Sequence, residues 1–248
     1  MAPALPRTRI NSAELVRLLA ELTPAQGPDA TLTLAEQLGQ WLGWTDAIAL
    51  SAALNAQAPA PARPPAAARR QAPTLPEAAQ RVHQALRRDI DADPLWAPQR
   101  PRPAGWAEEA QSPAAYRRQY RSHQQAMALA LGPFRARVRA ALAECSAALG
   151  QLAALDAVLE QALAARERQC LALVPELLMQ HGQRLQRQAG PPDAAPPIAP
   201  WVAGYAALVP AVLRAELALR WQPIAGMLDA LASFQADEAH EEPIHLDE

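Results

Sequence analysis

Few residues in this 248-residue chain have the types and spacing that chemistry demands. His240-Glu241-Glu242-Pro243-Ile244-His245 opens like the zinc-protease pattern HExxH, where two histidines one helical turn apart hold the metal and the glutamate is the general base. Here the second histidine falls five residues on and Pro243 opposes the helix that would align the pair, so no metal site is expected. His123 and His181 both fall on apolar helical stripes, where a satisfied core or interface histidine is the ordinary reading. Cys145 and Cys170 lie far apart, without CxxC spacing and without a neighbouring base or cation to favour a thiolate, so small buried apolar roles are expected. No GxxxxGK[ST], GxGxxG or GxSxG motif occurs, and ten glycines leave little material for phosphate-cradling loops. No catalytic residue, metal or cofactor is assigned, and the chain is read as a non-enzyme.

Candidate recognition residues stand out more clearly. Trp41 and Trp44 are three apart, on one helical face, with Asp46 beside them. They read either as a partner-binding aromatic patch, since Trp anchors dominate many interfaces, or more simply as core indoles with Asp46 capping a helix. Residues 61–140 hold fourteen Arg against six acids, whereas 229–248 carry seven acids and no Arg. Within the basic region Arg117, Arg118 and Arg121 stand among Tyr116 and Tyr120. A basic face interleaved with aromatics is what single-stranded nucleic acid requires. The whole chain is slightly acidic, with net charge -2, so a solvated helix face is the simpler account and nucleic acid is not the expected partner.

The elements that must position these residues are helices. The apolar half of the chain is mostly Ala and Leu, the best helix formers, and β-branched and aromatic residues are scarce. All 23 basic residues are Arg, a bias uniform along the chain that accompanies its Ala and Pro richness. No apolar leader segment is read at the N-terminus. The longest uncharged run, Ala194 to Leu213, has the length of a membrane span but contains Pro196, Pro197, Pro200 and Pro210 and few strongly apolar residues, so no span is expected. The expected location is cytoplasmic.

A first helix is expected after Asn11 as cap, with Glu14 completing a capping-box-like pair and Leu15, Leu18, Leu19 and Leu22 forming its face. A second is expected from Thr33, with a restart near Thr45 or Asp46 after Gly43. These make residues 1–55 an N-terminal helical subdomain, followed by a Pro/Ala linker over 56–73. Residues 74–235 read as a helical bundle. Thr74 and Glu77 open its first helix, and Ser112-Pro113 opens a stripe of apolar residues at a mean step of about 3.6 that runs to Leu163 and continues to Leu185. A straight helix over 134–188 would be about 80 Å long, so the chain should fold back near Gly150 or Pro175, or pair with a partner helix. Gly132-Pro133 and Pro175 are the expected breaks or kinks. A helix from Trp201 and a shorter one restarted by Pro223 complete the bundle, and 236–248 reads as a disordered acidic tail.

The segment LAEQLGQWLGWTDAIALSAALN carries a resemblance. Ala35, Glu36, Leu38, Gln40, Trp41, Leu42, Trp44, Thr45, Asp46, Ala47, Ile48, Leu50 and Ser51 match the form AExLxQWLxWTDAIxLSAAL. In this the chain resembles a family of functionally uncharacterised bacterial proteins over roughly its first 55 residues, and in overall length. The resemblance implies no activity or catalytic residues, and points to an envelope-associated setting. The expectation is an all-α protein acting by interaction, as a scaffold or accessory to an envelope-associated complex, with a protein partner or self-association through the long helix. The alternative is a nucleic-acid-binding regulator using the Arg-rich 61–140 region. The candidate partner-binding residues are Trp41, Trp44, Asp46, Tyr116, Arg117, Arg118, Tyr120 and Arg121.

Overall fold

The computed structural model describes residues 12–22, 44–55, 74–97, 105, 110–189 and 199–241. Among them are six helices and no strand: α1 (Ser12–Leu22), α2 (Trp44–Asn55), α3 (Leu75–Asp91), α4 (Pro113–Cys145), α5 (Ala147–Ala189) and α6 (Trp201–Glu241). The all-α architecture is the one that the composition favours. Asn11, the second helix from Thr33, Trp41 and the 56–73 linker lie outside the described residues.

Local signals set several helix starts. The Thr74 amide donates to Glu77 Oε2 at 3.2 Å, one half of a capping box. Ser112 accepts from the Ala115 amide at 2.9 Å, and Pro113 follows as the first helical residue, where its missing N–H costs nothing.

The fold-back lies at Ser146, one turn before Gly150 and so near the first of the two expected positions, not at Pro175. Ser146 Oγ accepts the Leu149 amide at 3.2 Å and its carbonyl accepts the Gly150 amide at 2.8 Å, which makes it the N-cap of α5. Salt bridges Arg135–Asp156 and Arg139–Glu160 then join α4 to α5 across an antiparallel hairpin. At Pro133 and Pro175, where a break or a kink is expected, the helices continue without a break. The expected restart at Pro223 is also absent, because α6 is one helix through Pro210 and Pro223. Each interior proline removes one backbone hydrogen bond. In α6 the loss is offset by burial on both sides of the prolines, at Val209, Val212, Leu213, Leu217, Ile224 and Met227. The helix runs to Glu241.

The chain forms two units, and α3 to α6 each contribute a segment to both. The first unit comprises 1–27, 85–127 and 172–222. Its buried side chains include Leu15 and Leu22 of α1, Ile90 of α3, Tyr116, Tyr120 and Met127 of α4, Val174 and Leu178 of α5, and Tyr205, Val209, Leu213 and Leu217 of α6. The Arg184 guanidinium donates to the Leu22 carbonyl at 2.6 Å, satisfying a backbone acceptor that the end of α1 leaves open. The second unit comprises 28–84, 128–171 and 223–248, and buries Ala78, Ala79, Leu131, Phe134, Val138, Leu142, Leu149, Ala153, Leu171, Ile224, Met227 and Leu231. Here Gln151 Nε2 donates to the Leu54 carbonyl at 2.5 Å, holding the end of α2.

Candidate functional site

The polar chemistry of the first unit is concentrated on one face of α4. Tyr116, Tyr120, His123 and Met127 follow at steps of four, three and four, so they share that face, and Gln124 lies beside it. Tyr120 Oη donates to Glu216 Oε2 at 2.7 Å. Gln124 Nε2 lies 3.1 and 3.0 Å from the two oxygens of the same carboxylate. Arg220, one turn along α6, reaches Glu216 Oε1 with Nε at 2.9 Å and with a terminal nitrogen at 2.8 Å. Glu216 is 0% exposed, so this carboxylate is tolerated only because donors surround it. Burial pushes the Tyr120 phenol well up, and the Glu216 carboxylate adds to the rise. It is a fixed neutral donor and not a nucleophile.

A second cluster is built on the loop after α3. Asp93 Oδ1 accepts the Leu95 amide at 2.9 Å, which shapes the turn. Its Oδ2 accepts from Gln119 Nε2 at 2.5 Å and pairs with His123 Nε2 at 2.8 Å. Trp96 Nε1 donates to the Ile90 carbonyl at 2.7 Å, and its ring lies 5.4 Å from His123 and 6.3 Å from Tyr116. Tyr116 meets Tyr205 edge-on at 4.8 Å. Tyr205 Oη donates to the Leu178 carbonyl at 2.8 Å, but the Tyr116 hydroxyl is buried with no partner among the described residues. Burial, with the Asp93 carboxylate, pushes Tyr116 up to about 12, and burial pushes Tyr205 up as well. His181 is held below the usual imidazole value by burial and by Arg184. Gly182 makes the approach of α6 possible, since a Cβ there would lie 2.9 Å from Tyr205 Cζ and 3.0 Å from Pro113 Cβ.

The residues singled out in the sequence separate into two groups. Tyr116 and Tyr120 are buried, so they cannot interleave with arginines on a surface. Arg117 and Arg121 both engage Glu176, at 3.1 and 2.7 Å, while Arg118 is exposed. The aromatic–basic face that a nucleic acid would need is therefore not assembled there. Trp44 is 83% exposed, with Ile48 and Leu54 also exposed on α2 and Asp46 half-buried in its first turn. The simpler reading, with the Trp44 indole in a core, does not hold. His123 is the satisfied interior histidine that its stripe implied.

Sequence reasoning missed Asp93, Gln119, Gln124, Glu216, Arg220 and Gly182. Glu216 left one trace, as an acid at helical spacing from Val209, Val212 and Leu213 in an apolar segment. In the second unit Asp156 accepts from Arg135 at 2.6 and 2.8 Å and from Arg139 at 2.9 Å, which is a structural cluster. Among the described residues no group of three or more His, Cys, Asp or Glu could hold a metal ion. The pair His240 and His245 lies outside the described side chains.

Trp201–Asp237 is long and apolar enough to cross a bilayer, and half of its most apolar window is buried inside the chain. Comparison with known proteins finds no similar curated protein and no similar solved structure. It does find a match over residues 1–233 to the model of a family described as a protein of unknown function, DUF3348. With nearly its whole length so matched, the chain belongs to the DUF3348 family.

Proposed function

We propose that this is a non-enzymatic helical interaction protein whose docking element is α2. The observation that carries the reading is the state of that helix. Eight of its twelve residues are apolar and it carries one ionisable side chain, Asp46, yet none of its residues is buried. Helices so rich in apolar residues ordinarily bury a face. Trp44, Ile48 and Leu54 instead present their side chains outward, at 83%, 55% and 53% exposure. Covering an exposed indole and two aliphatic side chains is a strong source of binding energy, and Trp is among the most frequent hot-spot residues. The buried polar clusters of the first unit act in this reading as internal fasteners that keep the scaffold rigid. Glu216 and its donors also favour α6 as a core helix over a membrane span, in keeping with a cytoplasmic chain. The resemblance noted above points to a partner in an envelope-associated complex.

The test is comparative capture from native cells. Wild-type chain, the double variant Trp44→Ala/Ile48→Ala and the control Leu129→Ala serve as baits, the last because Leu129 is 70% exposed on another helix. A protein retained by wild type and control and lost at least about tenfold with the double variant is the expected result. Equal recovery by all three baits, with the variants folded, would remove α2 as the docking element. Absence of the captured protein from membrane fractions would remove the envelope setting alone.

A further inference from the structure

The buried polar row on α6 has a role that packing alone does not supply. Tyr205, Val209, Leu213 and Leu217 recur every four residues on α6, and all are buried. Sliding the helix by one such step, about 6 Å, would keep every place in this row apolar, exchanging aliphatic for aliphatic at two of the four places and bringing Trp201 and Tyr205, or Val209 and Trp221, into the other two. Hydrophobicity therefore does not distinguish neighbouring registers, and apolar packing opposes a slip only through the size of these rings. The adjacent row reads Val212, Glu216, Arg220 and behaves differently. In one direction a slip would bring Val212 to the place of Glu216 and leave the Tyr120 hydroxyl and the Gln124 amide without their acceptor. In the other it would bring the Arg220 guanidinium against those same donors with no carboxylate between them. Unmade hydrogen bonds of buried groups are costly, and so is an uncompensated buried charge.

We infer that Tyr120, Gln124, Glu216 and Arg220 form a register lock, which selects one axial position of α6 against α4 from several that the apolar rows would accept. A single buried polar position that sets register is a known use of such groups. The lock is independent of any docking role of α2.

Register can be read by joining cysteine pairs with a short bismaleimide that spans the length of an ion pair. Asp91 and Arg214 form a salt bridge of 2.7 Å between α3 and α6, with both side chains accessible. In the full chain with Cys145→Ala and Cys170→Ala, the cross-linked pair Asp91→Cys/Arg214→Cys reports the native register. Asp91→Cys with Pro210→Cys, or with Ala218→Cys, reports a slip of one turn in either direction. With the polar row intact only the 91–214 pair should close rapidly. With the row made apolar (Tyr120→Phe, Gln124→Leu, Glu216→Leu, Arg220→Leu), closure of at least one slipped pair should rise about tenfold or more. A folded apolar variant that closes at 91–214 alone overturns the inference, and would mean that the fit of Tyr205 over Gly182 suffices. Should that variant fail to fold, the exchange Val212→Glu/Glu216→Val carries the test with unchanged composition. The carboxylate then sits one turn earlier, and closure should move from 214 to 210. Retention at 214 in the folded exchange variant overturns the proposal. Loss of folding in both variants also overturns it, because near-equivalent apolar registers are its premise.

Discussion

Tyr116 and Tyr120 occupy successive turns of α4, and both are buried, yet removing their hydroxyls should act in opposite directions. Tyr120 Oη donates to Glu216 at 2.7 Å, whereas the Tyr116 hydroxyl has no partner among the described residues. A hydrogen bond to a carboxylate contributes about 1.5–3 kcal/mol. Gln124 and Arg220 remain on Glu216 after Tyr120→Phe, so the loss should be near 2 kcal/mol. For a chain of this size each kcal/mol moves Tm by roughly 2–4 °C. Tyr120→Phe should therefore melt about 4–8 °C below wild type. Tyr116→Phe keeps the ring, with its edge contact to Tyr205 at 4.8 Å, and removes an unpaired buried hydroxyl. Burying such a group costs about 1–3 kcal/mol. The variant should gain of order 1 kcal/mol, or about 2–4 °C. Both are read by calorimetric melting at neutral pH on the full chain. A destabilised Tyr116→Phe would show that the hydroxyl is bonded, and an unaffected Tyr120→Phe would refute the role assigned to Glu216. The double variant Tyr120→Phe/Glu216→Gln should also lose less than the sum of its parts, because the two groups share one interaction.

Three further outcomes follow from the same geometry. The chain has three tyrosines, and all three phenols are pushed up from 10.0, chiefly by burial. The folded state holds those protons more tightly than the unfolded state, so stability should fall as pH rises above about 10. Ultraviolet absorbance should show no tyrosinate in the folded protein there, and a normal titration below pH 11 would contradict the burial. Gly182→Ala forces a Cβ against the Tyr205 ring and Pro113. The overpacking should exceed the gain in helix propensity and cost a net 1–2 kcal/mol or so, seen in urea melts, and a stabilised variant would show that the α5–α6 approach is loose. Ser146→Ala removes the cap of α5 and should cost about 1 kcal/mol. No loss there would mean that the hairpin is set by its salt bridges alone.

Much of the helical content was legible locally. Composition disfavours strands, the Thr74/Glu77 pair and Ser112-Pro113 mark two helix starts, and the periodic stripe from Tyr116 onward marks the buried face of α4 and, from Leu171 to Leu178, of α5, though not between Leu152 and Leu163. These are properties of neighbours within four residues, where backbone propensity, capping and side-chain spacing act. The prolines misled in the other direction. Pro133, Pro175 and Pro223 each weaken a helix locally, but tertiary burial offsets one missing hydrogen bond, so the helices continue. The fold-back was recognisable as a geometric necessity and its place near Gly150 as one of two, whereas the choice between them rests on the Ser146 cap of α5 and the ion pairs across the hairpin. The polar clusters were not legible at all. Asp93 meets His123 thirty residues on, and Tyr120 meets Glu216 across ninety-six, distances at which no local rule relates two residues. The same holds for the recognition residues. Type and spacing put Tyr116, Tyr120, Arg117 and Arg121 together with Trp44 as candidates, but exposure alone separates an anchor from a core ring. Only the packed helices decided that the tyrosines face inward, that Glu176 engages the two arginines, and that the indole of Trp44 remains at the surface.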